Sequence, residues 1–157
     1  MSRLVVVVLI AVNFASGCGV LNNFGYLDSN QMTPGNTGNA DVVFVRAVLD
    51  GNDTWTFHVT VAHDDTGWED YADGWDVVLP DGSVIKVDDD SPYTRLLLHP
   101  HENEQPFTRS QSNIIIDPDV ASVTVRAHDL VDGYGGKEVV VEMMNASGPD
   151  FEVVRDE

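Results

Sequence analysis

A single cysteine, Cys18, is all the thiol chemistry in this chain, so no internal disulfide can form. If lipid consumes that thiol, a blue-copper centre is excluded too, because such a site needs a thiolate. Cations are almost as scarce. Eight Lys and Arg face 26 Asp and Glu, for a formal charge of −18. A surface of that sign repels nucleic acid and anionic lipid headgroups, and it attracts basic peptides and metal ions. Solubility in a salty setting is the plainer account of the bulk charge. No apolar run approaches the roughly 20 residues that a membrane-spanning helix needs. Neither a Gly-x-Ser-x-Gly elbow nor a His-Glu-x-x-His motif is present. No catalytic residue is therefore assigned. A metal-dependent hydrolase stays only as a distant alternative to a non-enzymatic protein.

The first 17 residues have the layout of a secretory signal peptide. Arg3 precedes an unbroken apolar run over residues 4–12, and Ala15, Ser16 and Gly17 lead into Cys18. A cysteine at that place is the expected lipid-attachment residue of a lipobox. An ordinary signal peptide with a chance cysteine is the alternative. Removing 1–17 leaves seven Lys/Arg against 26 acids. The expected address is the cell envelope, with the membrane reached through the lipid anchor. Gly19 after the cysteine points to the periplasmic face of an outer membrane if the host is Gram-negative. Residues 18–40 read as a lipidated cysteine and flexible tether, rich in Asn, Gly and Pro, with a mean span of about 25 Å as a coil.

From Asp41 the pattern is β. Trp55, Phe57, Val59 and Val61 alternate with Thr54, Thr56, His58 and Thr60, a period of two that puts the first set on one face. Residues 75–79 and 84–87 flank Pro80, Asp81, Gly82 and Ser83, a hairpin signal. Further strands are expected at 43–48, 96–98, 114–116, 120–127 and 139–143. No segment carries a helical stripe. Short strands with frequent turns predict an all-β, antiparallel, immunoglobulin-like β-sandwich over residues 41–145, with Trp75 as a candidate core tryptophan. Residues 146–157 read as a polar tail holding at most a weak edge strand at 151–154.

Three connections are richer than plain turns: 63–74, 99–110 and 128–136. Four of the five histidines open or occupy them. Functional side chains concentrate on loops carried by a rigid scaffold. Whether the three loops meet depends on segment 88–92. If it bulges out of a strand running from 84 to 99, then His63, His99, His101 and His128 all reach one end of the sandwich. If it reverses the chain, the second loop goes to the other end. A bulge is the favoured reading, because strands with local insertions are common.

The stretches His63, Asp64, Asp65, Thr66, Gly67, Trp68, then Leu98, His99, Pro100, His101 with Glu104 to Ser110, then Gly133, Tyr134, Gly135, Gly136, Lys137 resemble a group of uncharacterised short exported bacterial proteins and lipoproteins. The likeness spans residues 41–143. In that group the hairpin leads straight into the Leu-His-Pro-His strand, so 88–94 resembles an insertion, which favours the bulge. The resemblance implies no activity.

Two imidazoles two residues apart, as in His99 and His101, point to the same side of an extended chain. With His63 and His128 they form a candidate Zn²⁺ or Cu²⁺ set, and Asp64 and Asp129 are candidate supporting ligands. Histidines capping strand ends by bonding loop backbone is the alternative. Arg109, the lone cation among loop acids, reads as an ion-pair strut more readily than an anion receptor. Trp68, Tyr71, Phe107 and Tyr134 lend the same loops an aromatic surface suited to a protein or polymer partner, though aromatics at a sandwich end also plug cores. Two readings follow: an envelope lipoprotein acting as a binding module, or a zinc- or copper-binding lipoprotein.

Overall fold

The computed structural model describes residues 38–155. Cys18, the signal sequence and most of the tether lie outside the described residues. Eight strands follow in order: β1 (Asp41–Leu49), β2 (Trp55–Ala62), β3 (Ala72–Val78), β4 (Arg95–Leu96), β5 (Phe107–Ile114), β6 (Ser122–Asp129), β7 (Val139–Glu142) and β8 (Phe151–Arg155). Among the described residues there is no helix. The strands form two four-stranded sheets, β5-β2-β1-β8 and β4-β3-β6-β7, which pack as an all-β sandwich.

Side-chain parity builds the core. Trp55, Phe57, Val59 and Val61 of β2 face Trp75 and Val77 of β3, Val123, Val125 and Ala127 of β6, and Val139 and Val141 of β7 within one buried cluster. The other side of β2 is a polar ladder with β5. Thr56 donates to Ser112 at 2.9 Å, His58 Nδ1 lies 2.7 Å from Ser110 Oγ, and the Thr60 and Thr108 hydroxyls are 2.8 Å apart. Such cross-strand pairs are the unit of sheet stabilisation. His58 thus stands on the outer face, half-buried by its neighbours.

Segment 88–92 is a bulge. Ile85 N donates to Val77 O at 2.9 Å, then Arg95 pairs with Trp75 and Leu96 with Gly74, and Leu97 N donates to Asp73 O. The chain therefore runs antiparallel to β3 both before and after the excursion. Thr94 fastens its return: its Oγ1 accepts from Val77 N at 2.8 Å and its N–H donates to Asp76 Oδ1 at 3.1 Å. His99 and His101 consequently arrive at the end where β2 and β6 finish.

Three boundaries differ from expectation. β5 starts at Phe107, inside what reads as a loop, because only its ends, Phe107 and Ile114, are apolar and buried. Residues 151–155 extend the sandwich beyond 145, with Phe151 and Val153 buried. β8 also lies parallel to β1, whereas every other pair of strands is antiparallel. At the other end of the domain, Ala40 is buried and gives its N–H to Asp129 Oδ2 at 3.4 Å, so packing begins before Asp41. A Cβ on Gly136 would meet Ala40 O at 2.1 Å, so only glycine lets the β6–β7 loop lie on that segment.

Candidate functional site

The inward parity of β2 does not stop at its last residue. His63 and Asp65 continue the odd-numbered series and are both buried. His63 Nδ1 donates to Asp65 Oδ1 at 2.6 Å. The same carboxylate accepts Ala72 N at 3.1 Å through Oδ1 and His101 N at 2.6 Å through Oδ2. One aspartate thus joins the end of β2, the start of β3 and the loop before β5. Burial works against its charge, but the His63 bond and the two amide donors together hold its carboxyl below the ordinary aspartate value. The bond to Asp65 raises the His63 pKa; burial opposes this, and the charges of Asp65, Asp129 and Asp70 add to the rise.

His101 is 3% exposed, and neither ring nitrogen has a hydrogen-bond partner. Its ring stacks on Phe107 with centroids 3.8 Å apart and planes at 12°, and the His99 ring lies with its centroid 4.5 Å away. Burial first, then the nearby charges of Arg109 and His99, push its pKa below the ordinary imidazole value. His99 itself is exposed, with Nδ1 3.0 Å from Pro100 O. The two rings lie against each other with their planes tilted by 38°.

His128 reaches the same end but the opposite face. In β6 the odd positions point inward, so Asp129 is buried and His128 stands on the outer side of its sheet. There its Nδ1 is 2.6 Å from Asp73 Oδ1 and 3.0 Å from the Tyr93 hydroxyl, which also donates to Asp73 Oδ2 at 2.9 Å. Tyr134 completes the patch: its hydroxyl donates to Asp76 Oδ2 at 2.5 Å, and Arg126 lies 3.9 Å over its ring. Burial, then the bonds to Asp73 and Asp76, raise both tyrosine pKa values.

The four imidazoles therefore do not converge. Among the described residues, the group whose ligand atoms come together is His63, Asp70 and Asp129, all within 4.8 Å of one another. Asp64, the expected supporting acid, is exposed; Asp65 and Asp70 take the inner places. Asp129 Oδ1 accepts the amides of Val131 at 3.0 Å and Asp132 at 2.6 Å. Arg109 is a strut, bound to Glu104 at 2.9 Å and lying 5.5 Å over the Phe107 ring. Phe107 is buried and plugs the core, so it leaves the set of recognition aromatics. Trp68 is 69% exposed and meets Tyr71 edge-on at 6.0 Å. Residues missed by sequence reasoning, Asp65 and Asp70 beside His63, Asp73 and Tyr93 beside His128, and Asp76 beside Tyr134, carry most of the polar contacts. Only Asp65 had a signal, the continued alternation from Trp55 through His63.

An apolar cleft of about 680 Å³ opens at the far end of the sandwich, between Trp55, Ile116, Val120 and Met143, with Met144 exposed at its mouth.

The chain is 39% identical over 103 residues to a protein of Halomicrobium mukohataei named "Putative lipoprotein". The match covers 66% of this chain and 47% of that protein, so the chain spans about half the length of the relative. It supports the lipoprotein group that the loop motifs resemble. No family model matches the chain, and no solved structure gives a significant match.

Proposed function

We propose that this chain is a lipid-anchored envelope protein whose β-sandwich is a non-enzymatic binding module. Its loops at the His63 end meet a protein or polymer partner. The anchor rests on the Ala15, Ser16, Gly17, Cys18 sequence and on the name of the lipoprotein relative. The single observation that carries the module is an exposed apolar group on a buried polar hub. Trp68 projects from the 63–72 loop with Tyr71 at its edge, and Leu130 N donates to Tyr71 O at 3.2 Å. That bond ties the turn after β6, where Leu130 and Val131 are exposed, the latter by 63%, to the loop that bears Trp68. Asp65, beneath, holds the loop's base to β3 and to the His101 segment. Exposed tryptophan on a preorganised loop is a favoured anchor of recognition surfaces.

Site-specific photocrosslinking in cells tests this reading. A photoreactive residue replacing Trp68 should yield a discrete adduct, and one replacing Met144, beside the far cleft, should not. An adduct from position 144 alone would move the binding face to the other end. No adduct from either site would overturn the module.

A further inference from the structure

We propose that His63 Nε2, Asp70 and Asp129 hold one Zn²⁺ ion, which ties the turn bearing Trp68 to the end of β6. The three residues come from separate places in the chain: the end of β2, the turn after Trp68 and the last position of β6. The fold nevertheless brings their ligand atoms within 4.8 Å of one another. His63 Nε2 lies 3.7 Å from Asp70 Oδ1. Ligands bound to zinc at 2.0–2.2 Å in a tetrahedron stand about 3.3–3.6 Å apart. The His63–Asp70 separation is within a few tenths of an ångström of that value, and the approach to Asp129, within 4.8 Å, would close further on binding the ion. The Asp70 side chain sits on a two-residue turn closed by Thr66 N to Asp70 O at 2.9 Å and Asp70 N to Gly67 O at 3.2 Å.

A second, independent feature is the way His63 is held. Asp65 accepts the Nδ1 proton at 2.6 Å, which fixes the tautomer that leaves Nε2 free as a ligand. Carboxylate, imidazole and metal in that order is the usual outer support of a zinc histidine. Asp65 is itself fixed by two backbone amides, so the imidazole cannot swing away. Asp129 is preset in the same manner: Oδ1 is occupied by the Val131 and Asp132 amides, and Oδ2 makes only a long 3.4 Å contact with Ala40 N. Asp129 is 0% exposed. Without a cation, three carboxylates gather around one buried imidazole, an arrangement that a divalent charge relieves.

One nitrogen and two oxygens select zinc over calcium or magnesium, which prefer all-oxygen cages of higher coordination. Asp70, the partly exposed member, leaves the fourth position open to water. The ion would clamp residues 63–70 as a closed loop, and Trp68 is the exposed residue within it. This inference stands on its own, whether or not Trp68 meets a partner.

The test is Zn²⁺ titration of the untagged, full-length protein in detergent after chelator treatment, by calorimetry and by NMR of the histidine rings. The expected result is one ion per chain with the His63 ring signals shifted. Asp70→Asn and Asp65→Asn should each weaken binding at least tenfold, while Asp64→Asn, an equal loss of charge one residue away, should not. Asp129→Asn removes a loop cap as well as a ligand, so Asp70→Asn carries the decision. Equal weakening by Asp64→Asn and Asp70→Asn would reduce the effect to a diffuse acidic surface and overturn the site. Shifts confined to His99 and His101, tighter binding of Ca²⁺ than of Zn²⁺, or no binding would overturn it as well.

Discussion

His63 and Asp65, two residues apart on the inward-facing side of the chain, share a buried 2.6 Å hydrogen bond that anchors one end of the sandwich. Two consequences follow from the chemistry of that bond. The imidazole is held in a single tautomer, and its charge is coupled to a carboxylate that also ties down Ala72 and His101.

Titration of the ring signals in the presence of chelator should separate the histidines. His63 should titrate above about 6.5 and His101 below it. Asp65→Asn should bring the His63 midpoint down, since its hydrogen-bonded partner loses its charge. Coincident midpoints for His63 and His101 would contradict the two environments.

The same shifts set a pH dependence of stability. A raised His63 pKa contributes stability that is full below about 6.5 and is lost as pH rises through its folded value. The depressed Asp65 value contributes above about 3.9 and is lost as pH falls through its folded value. His101 acts the other way from His63: below about 6.5 the unfolded chain takes up its proton first, which disfavours folding. Chemical denaturation of metal-free His101→Phe against the native chain should therefore show a difference in stability that changes between pH 7.5 and 5.5 in the variant's favour. A pH-independent difference would refute the role of His101.

Core parity in β2 predicts a sharp contrast between neighbours. Phe57→Ala should cost about 3–5 kcal/mol, as a buried truncation that leaves a cavity. His58→Ala should cost no more than about 1 kcal/mol, the value of its bond to Ser110 on the outer face. Equal losses in urea denaturation would mean that the two faces of β2 are not distinct.

Gly74 is required by Tyr93. A Cβ there would lie 2.1 Å from Tyr93 Cδ2, and Tyr93 is pinned by Asp73 and His128. Gly74→Ala should destabilise by about 1–3 kcal/mol through overpacking. In a Tyr93→Ala background most of that cost should vanish, a coupling read from a double-mutant cycle. Additive effects would show that the close approach does not restrict the position.

Cys18 lies outside the described residues, and its test is biochemical. Cys18→Ser should leave unprocessed or soluble protein in detergent partition. A processed variant that still fractionates with membranes would exclude lipid attachment.

The sandwich was legible wherever a strand buries one face and exposes the other. Trp55 to Val61 in β2, the hairpin at Pro80 to Ser83 and the inward valines of β6 all follow from a period of two, since a one-residue slip would turn every apolar side chain outward. β5 and β8 were obscure for the opposite reason. Each lies at a sheet edge with few buried positions, so little apolar pattern is needed to hold it. The histidine loops were visible as composition, but the expected set kept His128 and Asp64, whereas strand parity carried through the loop ends turns Asp65 and Asp129 inward and His128 outward. What only the tertiary structure decided was which loop ends share space. His63, Asp70 and Asp129 meet because two sheets stack at a particular register, a long-range relation that no local spacing encodes. The paired imidazoles of His99 and His101, the most conspicuous local spacing, were instead given different environments: His101 is buried in a stack on Phe107, because packing a flat ring against an apolar neighbour is favourable, while His99 stays exposed.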